Sequence, residues 1–113
     1  MVGDGTWLKL SEVMERLDRH PAATERWVRQ LADGGYLATI RPVSVGRGTS
    51  HRRIAAASIT ALEDILALPQ DQQRPALDAL RAGTQATTAL PVHEQPAALE
   101  ALREQLRQDR GIR

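Results

Sequence analysis

Cysteine is absent from the 113 residues, which excludes disulfides and thiolate metal sites. Phenylalanine is absent too, and aromatics are 3% of the chain, as Trp7, Trp27 and Tyr36. A core so poor in rings must be filled by Ala, Leu, Val and Ile, whose small contacts favour closely approaching helices over a wide β-sandwich. No apolar run approaches the ~18 residues of a membrane-crossing helix. The opening Met1-Val2-Gly3-Asp4-Gly5 lacks the basic-then-apolar order of a secretory signal. A cytoplasmic location with no membrane partner is the expectation. Catalytic signatures are missing as well: there is no HExxH, GxSxG or Walker lysine, and Gly46-Arg47-Gly48-Thr49-Ser50 resembles a phosphate loop only superficially. Neither His20 nor His93 has a partner at ligand spacing. The chain therefore reads as a non-enzyme, with no catalytic residue, cofactor or metal expected.

What is present is an uneven charge. Residues 1–54 hold nine Lys/Arg against six Asp/Glu, and residues 55–113 hold six against eight, so a net charge of +1 divides into +3 and −2. Between 34 and 54 stand four arginines, Arg41, Arg47, Arg52 and Arg53, with His51 and no acid. A concentrated positive stretch of this kind points to a polyanionic partner.

Hydrophobic spacing organises the chain. Leu10, Val13, Met14 and Leu17 fall at i, i+3, i+4 and i+7, predicting a first helix over 10–17. Asp18-Arg19-His20-Pro21 breaks it, because the residue before proline is driven from the α region. A second helix is expected from Pro21 to Ala32, after a four-residue turn, and Asp33-Gly34-Gly35 ends it with a glycine free to take a left-handed cap. On a wheel Thr24, Trp27, Val28 and Leu31 face inward and Glu25, Arg26, Arg29 and Asp33 outward, with Gln30 at the edge. Tyr36–Arg41 and His51–Ile54 read as two strands of a β-hairpin, joined through a Gly-rich tip at 42–50. Helical spacing resumes from Ala55, with Ile59, Leu62, Ile65 and Leu66 on one face, and again over Gln70–Ala82, where Gly83 is the expected stop. Residues 84–95 read as a linker. A last helix carries Leu99, Leu102 and Leu106 at 3–4 spacing. The expected fold is mainly α with a small β-hairpin. Its domain plan is 1–83 as one unit, 84–95 as linker and 96–113 as a C-terminal helix for oligomerisation or partner binding.

Leu8-Lys9-Leu10-Ser11-Glu12-Val13, Thr24-Glu25-Arg26-Trp27, the exit Gly35-Tyr36-Leu37 and Arg52-Arg53-Ile54 together resemble a winged helix-turn-helix, over residues 6–66. Among the branches of that DNA-binding superfamily, the order is most similar to MerR-type and excisionase-type domains. The resemblance implies a helix-turn-helix, a wing and further helices packed behind.

Double-stranded DNA is thus the expected partner, and regulation of transcription the expected role. A major groove ~12 Å wide admits one helix, and arginine reads guanine there. Arg26 and Arg29 lie on the outward face of the 21–32 helix, Gln30 at its margin can read adenine, and Thr24 with the first amides suits a phosphate. Arg47, Thr49, Ser50, His51, Arg52 and Arg53 on the hairpin are expected to meet the backbone or minor groove, which fixes register and not sequence. The leucine-striped C-terminal helices suggest a homodimer, with reading helices one DNA turn apart on a palindrome. Helix 97–110 alternatively suits a different protein. Two other functions fit the same pattern: an excisionase-like or plasmid-maintenance architectural factor, and a protein-interaction module on a winged-helix scaffold.

Overall fold

The computed structural model describes residues 6–40 and 52–109. The elements run β1 (Trp7–Leu8), α1 (Leu10–Arg16), α2 (Glu25–Asp33), β2 (Thr39–Ile40), β3 (Arg53–Ala55), α3 (Ala56–Leu66), α4 (Gln70–Thr88), a 3₁₀ turn (Val92–Glu94) and α5 (Gln95–Asp109). The mainly helical class and the antiparallel β2–β3 pairing match the expectation from sequence, with Thr39 opposite Ile54 and Ile40 opposite Arg53. The sheet also holds a strand that sequence did not predict. β1 pairs antiparallel with β3, giving the order β1-β3-β2. Two residues are too few to display a period-2 pattern, so only the partner strand makes Trp7–Leu8 a strand.

Helix α1 starts where Glu12 accepts a hydrogen bond from the Lys9 N–H at 2.9 Å. Its Val13 and the following Leu17 are buried. The connection to α2 is longer than the expected four residues, spanning 17–24. Pro21 does not open the second helix. His20 N–H donates to Leu17 O and Ala23 N–H to His20 O, both at 2.9 Å, so the chain makes successive turns there while Ala23 enters the core. The helix begins at Glu25 because Thr24 caps it, its hydroxyl accepting from Trp27 N–H at 3.2 Å. Thr24 is exposed, contrary to its expected inward place, and Trp27 is half-buried. At the other end Tyr36 N–H reaches Leu31 O at 3.0 Å and Gly35 N–H reaches Ala32 O at 3.3 Å. With Gly35 at φ +85°, this is a Schellman cap, the left-handed stop foreseen at the glycine pair. The cap and a hydrogen bond from the Thr84 hydroxyl to Tyr36 O (3.1 Å) hold Tyr36 in a bend. The second strand consequently starts at Thr39 and not at Tyr36.

Val28, Leu31, Leu37, Ile54, Ile59 and Leu62 form the main core between α1, α2, the sheet and α3. Trp7, Ala38, Ala55 and Leu99 form a second cluster on the other face of the sheet.

The largest departures from the sequence reading concern the C-terminal half. Helix α4 does not stop at Gly83 but continues to Thr88, so residues 84–88 are helix and not linker, and Gln95 already belongs to α5. Gly83 is there for proximity. A Cβ on it would collide with the Leu102 side chain, so the missing side chain is what lets α4 and α5 cross closely. Gly83→Val is expected to lower stability by about 1–3 kcal/mol through overpacking, read as a lowered midpoint in thermal unfolding. The α5 leucine stripe is spent within the chain: Leu99 is 2% exposed and Leu102 and Leu106 pack against α3 and α4. Arg103 Nε donates to Asp64 Oδ2 of α3 at 2.8 Å, a hydrogen bond that raises the arginine's pKa further. Among the described residues, no helix is long and apolar enough to cross a membrane.

Candidate nucleic-acid interface

The sequence of α2, ERWVRQLAD, divides by burial. Val28, Leu31 and Ala32 are buried and Glu25, Arg26, Arg29, Gln30 and Asp33 are exposed. At ~100° per residue, Arg26, Arg29, Gln30 and Asp33 lie within roughly 100° of arc, opposite Val28. Asp33 stands seven residues from Arg26, two turns along the same stripe.

Two ion pairs involve this stripe. Arg29 has acids four residues away on both sides and does not bond Asp33. Its Nη2 lies 3.0 Å from Glu25 Oε2, with side chains 62% and 59% exposed. This is an i, i+4 pair with the acid on the N-terminal side, the favourable orientation. At that exposure the pair contributes little and a phosphate or base edge can displace it. Asp33 Oδ1 is instead 2.7 Å from Nη2 of Arg52, which enters β3 from a segment 19 residues onward. Arg26 has no ion pair among the described residues.

Strand alternation explains why Arg52 reaches α2. Ile54 belongs to the cluster containing Val28 and Leu31, whereas Ala55 belongs to the one containing Trp7 and Leu99. Successive strand residues point to opposite faces, so Arg52 shares the face of Ile54, toward α2, and Arg53 that of Ala55, toward α5. The two neighbouring arginines, expected to act together, are split between the two sides of the sheet. Arg53 is half-buried there.

Of the ten residues expected at the interface, Arg26, Arg29, Gln30 and Arg52 come together on one surface, with Thr24 exposed at the N-terminal end of α2. Arg53 does not join them. Arg47, Thr49, Ser50 and His51 lie outside the described residues. Two residues outside those ten border the same end of α2. Asp33 holds Arg52, and Arg81 of α4 lies over the Tyr36 ring, 5.5 Å from its centroid. Asp33 was detectable as the i+7 neighbour of Arg26, but nothing local to Arg81 connects it with Tyr36.

An open, polar depression of about 550 Å³, lined by Glu15, Arg16, Asp18, Arg19 and Glu63, lies beside α1 and α3. A cleft lined by Ile65, Leu68, Ala76 and Leu106 holds about 50 Å³, well under the ~150 Å³ of a cavity that accepts benzene. Comparisons with protein-family models, with curated proteins and with solved structures find no match. Function is therefore read from the residues themselves.

Proposed function

We propose that this chain is a small sequence-specific double-stranded DNA-binding protein of winged helix-turn-helix type, acting as a transcriptional regulator. Helix α2 enters the major groove with Arg26, Arg29 and Gln30 toward base edges, and the β2–β3 ribbon lies against the neighbouring backbone. The observation that carries this reading is the 2.7 Å pair between Asp33 and Arg52. It joins the base of the ribbon to the end of the outward stripe of α2, so that two elements distant in sequence share one surface. Arg26 supplies a bidentate donor suited to guanine and Gln30 one suited to adenine. Thr24 and the first amides of α2 suit a phosphate, since that end of the helix is partly positive.

Selection of bound fragments from random-sequence DNA, followed by footprinting, tests this reading. The expected outcome is an enriched, compactly protected sequence. Recovery without enrichment, or no recovery, would reject it.

One observation favours a second reading, the architectural factor. Leu99, Leu102 and Leu106 are engaged with the chain's own helices, which leaves less of that leucine stripe to pair two copies on a palindrome. Inverted half-sites ~34–36 Å apart would indicate a dimeric regulator, and tandem direct repeats with altered fragment mobility the architectural alternative.

A further inference from the structure

We propose that Asp33 is a built-in counter-ion that masks Arg52 in the unbound protein, and that a DNA phosphate replaces it on binding. This inference rests on the DNA-binding reading and concerns how the same surface is regulated. Asp33 occupies the last position of α2, where the carbonyl ends of the helix disfavour a carboxylate. The last turn of α2 contains no basic residue. The guanidinium that balances this end therefore comes from the ribbon base, as Arg52 Nη2 at 2.7 Å from Asp33 Oδ1. The carboxylate is 66% exposed and the guanidinium 34%. A pair so open to solvent is weak enough to exchange partners. A phosphate oxygen is an equivalent acceptor, offering the same charge-assisted hydrogen bond.

The exchange has a thermodynamic signature. Phosphate neutralisation by a free arginine releases a condensed cation from the duplex, at a cost of about 0.9 in the slope of log K against log salt. An arginine that must first leave a carboxylate strands that carboxylate beside DNA, where it recruits a cation again. In the wild type, Arg52 should thus contribute little to the slope. Asp33→Asn keeps the side chain's shape and removes its charge. It should tighten binding on the order of tenfold near 50 mM salt, and that advantage should shrink about three- to fourfold by roughly 200 mM.

The experiment is a salt titration by fluorescence anisotropy on a labelled duplex of about two helical turns, ~21 base pairs. It compares wild type, Asp33→Asn, Arg52→Gln and the double variant, with Asp33→Ser as a second neutral replacement. Circular dichroism melts establish that each variant folds. Support is a D33N slope steeper by about 0.9, an R52Q slope shallower than wild type because Asp33 then stands beside the duplex without its arginine, and a return to the wild-type slope when both are changed. A D33N slope equal to wild type, or weaker binding by D33N and D33S alike, overturns the masking while leaving DNA binding intact. Absence of salt-dependent binding by the wild type overturns the masking together with the reading it rests on.

Discussion

Truncating Leu99 to alanine is expected to cost about 2–5 kcal/mol of unfolding free energy, a large share of the 5–15 kcal/mol typical of a domain. The side chain is 2% exposed and packs with Trp7, Ala38 and Ala55, so it ties α5 to the face of the sheet away from α2. Its removal leaves a void under β1 and β3 that the two-residue strand β1 is poorly able to close. Chemical denaturation followed by circular dichroism measures the effect. The result also discriminates between two roles for α5. If the helix were an appendage reserved for a partner, L99A would leave the unfolding midpoint near that of the wild type. A cooperative loss of the whole transition would instead make α5 part of the folding unit, as its crossing with α4 at Gly83 and the Asp64–Arg103 pair imply.

Arg26→Ala is the second change with a large expected effect, and on the proposed DNA-binding reading it acts on recognition. Arg26 is exposed at the centre of the outward stripe of α2, with no ion pair among the described residues, so its removal leaves no buried group unsatisfied. Stability should change by less than about 0.5 kcal/mol, as for surface sites away from special features. Binding to the selected site should weaken by about 1–3 kcal/mol, while affinity for unrelated duplex falls much less, so that discrimination relaxes at one base position. Competition binding with single-base variants of the selected site measures this directly. Equal losses on all sequences would make Arg26 a phosphate contact. Arg29→Ala should show a smaller loss, because the guanidinium of Arg29 must first leave Glu25 at 3.0 Å. A DNA affinity unaffected by R26A, R29A and D33N, each made singly, would remove the α2 stripe from any role in binding.

Residues whose structural cause is local were legible in the sequence. The i, i+3, i+4, i+7 apolar spacing at Leu10–Leu17 marked α1, because burial of one stripe is a property of the segment itself. The glycine pair at 34–35 marked the end of α2 because only a residue without Cβ takes φ +85° at no cost. Thr24 reads in retrospect as the cap, and Pro21 misled because its fixed φ suits a helix start and a turn equally. The outward arginines of α2 were likewise evident from the wheel.

What only the tertiary structure decided involves partners far along the chain. Gly83 carries the same local signal whether it ends a helix or admits a neighbour, and Leu102 of α5 determined the latter. The leucines of α5 have a pattern that suits a second copy as well as this chain, and contact with α3 and α4 selected the chain itself. Arg52 and Arg53 are chemically identical neighbours, and the pleat of β3 sent one to Asp33 and the other to the opposite face. Periodicity reports which side of an element is apolar, whereas the identity of the group it meets depends on topology.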